Sequence, residues 1–378
     1  MDFSPRPTCA EIDLQSLLHN LDQVHRFRKS HQSILAIVKA DDYGHGAVPV
    51  SRTLAAGGVS QFGVATLEEA VELRQARLEQ PLLVLGGCYP GQEDAFGALE
   101  LMPAVGDLDS LQRLNGWFHD SGAKLKVHLK VDTGMGRIGF SPEELTALTP
   151  QLTAMTGLDV VGLMSHLACA DEADDRISAR QLTAFLDVRA RLSACGIVPR
   201  QIHIGNSAGL IGWNHPDCTL LRPGIMLYGG MPGDKYRPQL DLRPVMCLRT
   251  RVAQLKTVPA ETGLSYGHRF HTDRDSRIAV LPIGYADGYN RLLTNRGEVL
   301  IRGRRVPVVG TVCMDWILID VTDVPDVLVG DAVTLLGGTE ENRITAEEWG
   351  GWVDSISYEV FCRIGSRVPR RYLEAHRA

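Results

Sequence analysis

The sequence predicts an α/β chain, an N-terminal (β/α)8 TIM-type barrel followed by a C-terminal mostly-β domain. Three observations carry this. Short β-branched or leucine-rich runs alternate with longer amphipathic stretches from Ser33 to about Tyr228, the pattern of repeated βα units around a parallel sheet. Eight such runs fit into about 200 residues, the number that closes a barrel. After Asp241 the texture changes to strand-like runs punctuated by Gly, Pro and Asp. The barrel is therefore assigned to residues 1–241 and the β-rich domain to residues 242–378.

Taken in order, the candidate barrel strands begin near Ile34, Gln61, Pro81, Leu101, Lys124, Leu158, Gln201 and Thr219. Helical patterns lie between most of them, as at Thr66 to Ala76, Pro142 to Ala154 and Arg176 to Ala194. In the second domain, strands are expected over Val245 to Val258, Arg277 to Ile283, Val299 to Val309 and Ile317 to Val321. One late helix is expected at about Ala346 to Phe361.

Composition narrows the function classes. A chain of 378 residues with 44% hydrophobic and 22% charged content is ordinary globular material, long enough for two domains. A formal net charge of -6 without blocks of like charge argues against nucleic acid or an anionic membrane as partner, which leaves a small molecule. The amino terminus carries Asp2, Glu11, Asp13 and Asp22 without an apolar segment, and no apolar run reaches the roughly 18 residues of a membrane helix, so a cytoplasmic location is expected. Eight cysteines are spread singly with no C-x-x-C pair, signalling neither a zinc site nor a disulfide framework.

Reactive residues of such a barrel belong just after strand ends. Lys39 follows the first strand, Arg137 the fifth, His166 the sixth, Asn206 and Ser207 the seventh, and Arg222 with Gly224 the eighth. Lys39 closes the apolar run Ile34-Leu35-Ala36-Ile37-Val38. Burial there disfavours its charged form, and a neutral lysine is a nucleophile that forms a Schiff base with an aldehyde cofactor such as pyridoxal phosphate. A solvated lysine that merely ends a strand is the plainer reading of the same residues. The turns Gly205-Asn206-Ser207-Ala208-Gly209 and Arg222-Pro223-Gly224-Ile225 occupy the two loops where barrels hold phosphate. An arginine facing a pyridine nitrogen, unable to give up its proton, would leave that nitrogen unprotonated and weaken the electron sink, which suits proton exchange at Cα over transamination. Alternatively, Arg222 pairs with a neighbouring carboxylate. Inverting a stereocentre this way takes a base on each face. Tyr266, between Ser265 and Gly267, reads by itself as a packing residue.

Several segments together resemble alanine racemase, a pyridoxal-phosphate enzyme with a (β/α)8 barrel and a C-terminal β domain. They are Arg6-Pro7-Thr8, Val38-Lys39-Ala40-Asp41-Asp42-Tyr43-Gly44-His45-Gly46, Asp132-Thr133-Gly134-Met135-Gly136-Arg137, Ser165-His166, Asn206-Ser207, Arg222-Pro223-Gly224-Ile225, Ser265-Tyr266-Gly267, Gly284-Tyr285-Ala286-Asp287-Gly288, Val312-Cys313-Met314-Asp315 and Ser357-Tyr358-Glu359. The resemblance covers essentially the whole chain.

The resemblance implies that Lys39 holds pyridoxal 5'-phosphate and is the base for D-alanine, while Tyr266, reaching in from a partner subunit, serves L-alanine. It implies Tyr43, Ser207, Gly224, Ile225 and Tyr358 at the phosphate, with Asn206 among the cofactor-binding residues. Arg222 is then at the ring nitrogen and His166 links it to Tyr266. Arg137 is implied at the cofactor's phenolic oxygen and the substrate carboxylate, assisted by the Met314 backbone N–H of the partner, and Lys130 matches a lysine carbamylated in many members. Tyr285 with Tyr358 resembles the pair narrowing the substrate entrance. A homodimer follows from the sharing of Tyr266 and Met314, and the resemblance also implies a role in supplying D-alanine for cell-wall peptidoglycan. The sequence departs from the family at Cys9, where an aromatic is common, and at Asp42, where a small residue is usual.

The rivals are a racemase of another small amino acid such as serine, a barrel-type pyridoxal-phosphate decarboxylase, and a single-domain carrier of pyridoxal phosphate. The decarboxylase would place a carboxylate, not Arg222, at the ring nitrogen, and the carrier lacks a second domain. A metal-dependent hydrolase using His128, His166 and His203 lacks ligand spacing, and no metal is expected.

Overall fold

The computed structural model describes residues 6–339 and 341–374, and the counts below refer to these residues. The first strand, β1 (Cys9–Asp13), is followed by a helix over Leu14–Phe27 that Asp13 caps, its carboxylate accepting from the N–H groups of Gln15 and Ser16. Eight parallel strands then form one sheet: β2 (Ser33–Ile37), β3 (Gln61–Val64), β4 (Leu82–Val84), β5 (Leu101–Val105), β6 (Leu125–Lys130), β7 (Leu158–Met164), β8 (Gln201–His203) and β9 (Leu220–Leu221). Every expected barrel strand is found. Neighbours pair in chain order from β2 to β8, and β9 returns to β2 with Ser33 opposite Leu220. Between β8 and β9 no ladder forms. The gap is bridged by Thr219, whose N–H donates to the Ile202 carbonyl at 2.9 Å and whose Oγ1 accepts from the Ile202 N–H at 2.9 Å. All five residues of β5 are buried, as expected of parallel strands covered on both faces.

Local chemistry explains the helices. Thr66 and Glu69 form a reciprocal capping box at the start of Leu67–Gln75, and Ser141 with Glu144 does the same for Pro142–Ala147. The helix expected from Pro142 to Ala154 is two, breaking before Thr149–Ala154, because Pro150 has no N–H to continue the ladder. The late helix is likewise two, Ala346–Trp352 and Ser357–Cys362, interrupted where Asp354 takes a left-handed conformation (φ 56°).

The second domain carries a seven-stranded mixed sheet and a three-stranded antiparallel one. Its long expected strand at Val245 to Val258 divides into Met246–Arg251 and Gln254–Val258, which enter different sheets. Expected Val299 to Val309 is the hairpin Glu298–Ile301 and Arg304–Pro307. One correction concerns the linear division at residue 241. Strand β1 pairs antiparallel with Met246–Arg251 and parallel with Arg370–Leu373, so the amino-terminal strand lies within the second domain's sheet. No helix among the described residues is long and apolar enough to cross a membrane.

Candidate active site

At the carboxyl end of β2 the chain turns the wrong way. Ala40, Asp41, Asp42 and Tyr43 all have φ between 52° and 55°, a left-handed turn made without glycine. Each such residue costs roughly 1–2 kcal/mol, so the turn persists only because its polar groups are over-determined. The Ala40 N–H donates to Glu69 Oε1 at 2.7 Å, the Asp42 N–H to the Val38 carbonyl at 3.1 Å, and the Gly46 N–H to the Asp41 carbonyl at 2.9 Å. This turn presents Lys39 and Tyr43 to a cavity of about 290 Å³.

The cavity gathers most of the side chains singled out in the sequence. Lys39, Tyr43, Lys130, Arg137, His166, Asn206, Ser207, Arg222, Gly224, Ile225 and Tyr358 all line it, on walls completed by Ile37, Ala65, Leu85, Ile138 and Met164. At one end Ser207 Oγ accepts from the Gly224 N–H at 2.9 Å, and Asn206 Oδ1 caps the short helix Ser207–Gly212. Gly224 is closely approached there, since a Cβ would stand 2.6 Å from Tyr43 Oη. Arg222 is buried and bonds no carboxylate. Its Nη1 donates to His203 Nδ1 at 2.7 Å, and its Nη2 donates to the carbonyls of Ser165 (2.8 Å) and Ile204 (3.0 Å) and to His166 Nδ1 (3.2 Å). The pairing of Arg222 with a carboxylate, open from the sequence, is thereby excluded among the described residues.

The family profile described as "Alanine racemase, N-terminal domain" matches residues 12–232 and "Alanine racemase, C-terminal domain" matches residues 245–372. The chain is similar to the alanine racemase of Geobacter sulfurreducens, with 47% identity covering 97% of each chain. Among solved structures it resembles the alanine racemase of Streptomyces lavendulae, with TM-score 0.93 and 34% identity over 99% of this chain and 98% of that one. It also resembles that of Bartonella henselae with covalently bound pyridoxal phosphate, with TM-score 0.89 and 29% identity over 98% of this chain and all of that one. The chain belongs to the alanine racemase family. It is an isomerase that racemises alanine.

The electrostatics suit an alanine racemase. Four cationic side chains, Lys39, Lys130, Arg137 and Arg222, face the cavity and no Asp or Glu does. Such a set calls for anions, which the phosphate of pyridoxal phosphate and a substrate carboxylate would supply, so these residues fit the cofactor. Burial, then the nearby Arg137, lowers the Lys39 pKa as the sequence suggested. The same causes bring Lys130 down to about 8. Arg222, lowered by burial to about 10, stays charged at neutral pH. Burial and Arg222 push His166 down to about 3, so it is neutral, with Nδ1 the acceptor and the proton on Nε2.

Three expected residues are absent from this cavity: Tyr266, Tyr285 and Met314, which are 72%, 42% and 52% exposed. They are nevertheless brought together elsewhere. Thr311 Oγ1 donates to the Tyr266 carbonyl at 2.7 Å, and the N–H groups of Tyr285 and Ala286 donate to the carbonyls of Cys313 (3.0 Å) and Met314 (3.1 Å).

Sequence reasoning also passed over several contacts that support this cavity. His203, read as structural, bonds Arg222 through Nδ1 and His128 Nδ1 through Nε2, the latter at 2.8 Å. Asp132 accepts the N–H groups of Gly134, Met135, Gly136 and Arg137, shaping the loop that carries Arg137; burial opposes its charge, but these four bonds hold its pKa below the ordinary value. The D-x-G-x-G-R spacing was a signal for that nest.

Proposed function

We propose that the chain interconverts L- and D-alanine by two-base proton exchange with pyridoxal 5'-phosphate as cofactor, within a homodimer that supplies D-alanine for cell-wall peptidoglycan in the cytoplasm. The observation that carries this is the division of the machinery. A half-buried, pKa-lowered Lys39 shares a carboxylate-free cavity with Arg222, while Tyr266 and Met314 sit exposed on the second domain, outside the cavity of their own chain.

Lys39 would hold the cofactor, with Tyr43, Ser207, Gly224, Ile225 and Tyr358 at its phosphate and Asn206 and His166 beside it. Bound there, pyridoxal phosphate supplies the electron sink that makes a Cα proton removable. Lys39 Nζ moves that proton on one face and Tyr266 Oη of the partner subunit on the other. Arg222, which cannot release its proton, would face the ring nitrogen and leave it unprotonated, which would temper the sink and disfavour transamination. His166 Nε2–H is free to donate to Tyr266 Oη of the partner subunit. Arg137, with the Met314 N–H of the partner subunit, holds the substrate carboxylate. Tyr285 and Tyr358 narrow the approach to a small amino acid. Lys130, carbamylated, would give Arg137 the anionic partner that the cavity lacks.

The test incubates the protein with L-alanine, and in parallel L-serine, in deuterium oxide with and without added pyridoxal phosphate. Cα exchange with loss of optical rotation, fastest on alanine and dependent on the cofactor, is expected. Carbon dioxide release would replace this reading with the decarboxylase.

A further inference from the structure

The left-handed turn closes over a carboxyl group. Asp42 is fully buried. Its Oδ1 lies 3.0 Å from Tyr228 Oη and its Oδ2 lies 3.2 Å from Ser51 Oγ, while the same Tyr228 Oη lies 2.8 Å from the Ile37 carbonyl oxygen. Each of these oxygen pairs requires a hydrogen between its members. Tyr228 and Ser51 bring one each, and a carbonyl brings none. The geometry points to Asp42 as a neutral carboxylic acid that donates from Oδ1 to Tyr228 Oη, a positioning residue tying the turn that bears Lys39 and Tyr43 to the end of β2.

Its surroundings agree. On its own turn Asp42 is faced by Asp41, Tyr43 and His45, from helix Leu67–Gln75 by Glu69, and from helix Ala47–Ala56 by Ser51. The turn Ile225–Tyr228 adds Tyr228 and the last strand Tyr372. All are acidic or neutral, since burial lowers His45 to about 4. Arg370, the cation of that last strand, spends its guanidinium on the carbonyls of Gly44, Ile364, Gly365 and Val368. Burial, opposed by the Tyr228 and Ser51 bonds and reinforced by Asp41 and Glu69, holds the Asp42 carboxyl well above the usual carboxylate range.

With Asp42 protonated, Tyr228 keeps its own hydrogen on Ile37, and its ring, 4.7 Å from that of Tyr43, backs the phenol at the cavity. Ionised, Asp42 would draw that hydrogen away and leave the Ile37 oxygen facing a bare phenol oxygen.

The inference rests on the roles proposed for Lys39 and Tyr43, and its test separates the two. Infrared difference spectra of the holoenzyme near neutral pH, wild type minus Asp42→Asn, are expected to contain the C=O stretch of a protonated carboxyl; its absence overturns the neutral acid. Cofactor retention during dialysis, followed by visible absorbance, is expected to fall about tenfold in Asp42→Ala, the scale of one net hydrogen bond. Asp42→Asn should retain the cofactor, because its amide donates where the hydroxyl did. Retention by Asp42→Ala equal to wild type removes the positioning role, and equal losses in both variants remove the proton. Failure of the Lys39 reading shows instead in Lys39→Ala that keeps the absorbance, whatever the infrared spectrum contains.

Discussion

Arg222 Nη1 and His203 Nδ1 meet at 2.7 Å inside the barrel, and that bond orders the protons along a buried chain from Arg222 through His203 to His128. His203 accepts from the arginine, so its Nε2 donates to His128 Nδ1. Burial and the Arg222 charge push His128 to about 3 and His203 well below the usual histidine range. Folded pKa values lie below unfolded ones, so this contribution to stability is complete above about 6.5 and is lost as pH falls from there toward 3. His203→Gln, which can still accept from Arg222 and donate to His128, should flatten that decline, by up to about 1.4 kcal/mol per pH unit. Urea melts at stepped pH measure it, and an unchanged slope would release His203 from the account.

Lys39→Ala should bind no cofactor covalently. The visible absorbance of the bound aldehyde disappears after dialysis, and racemisation falls to background. Thermal unfolding stays near that of cofactor-free wild type, because the Lys39 side chain makes no hydrogen bond among the described residues and its removal leaves no buried partner.

Tyr266→Phe separates chemistry from binding. The cofactor absorbance is retained, and turnover of L-alanine falls roughly 10²- to 10⁴-fold, the range for a lost general base. A rate equal to wild type would remove the phenol from the mechanism.

Gly224→Ala should act through Tyr43. The new Cβ would stand 2.6 Å from Tyr43 Oη, which must move away from the cavity end formed by Ser207 and Gly224. Weaker retention of pyridoxal phosphate, about tenfold in Kd, is expected with little change in the rate of the fully loaded enzyme. Titrating the apo-protein with cofactor checks it.

Lys130 should react with carbon dioxide. Its pKa, lowered by burial and by Arg137 to about 8, leaves a useful fraction of free amine at neutral pH. Intact mass should reveal a carboxyl adduct that grows as pH rises toward 8. Lys130→Ala should raise KM for alanine more than it lowers kcat, because Arg137 loses its anionic neighbour.

Much of this was legible in the residues themselves. Apolar periodicity located all eight barrel strands, and strand ends indicated where Lys39, His166 and Arg222 would converge. Pro150 and Asp354 carried the two breaks that periodicity alone ran through. These signals are short-range, set by neighbours within a turn or two of the chain.

What the sequence by itself determined was therefore the succession of elements and the chemistry available at their ends. Tertiary structure alone decided the rest: that Arg222 meets histidines and carbonyls instead of a carboxylate, that β1 joins the far sheet, that Tyr266 lies outside its own chain's cavity, and that Asp42 is sealed beneath a left-handed turn. The reason is separation along the chain. His128 and His203 are 75 positions apart and Asp42 and Tyr228 186 apart, so their contacts exist only once the barrel closes, and burial then sets their charge.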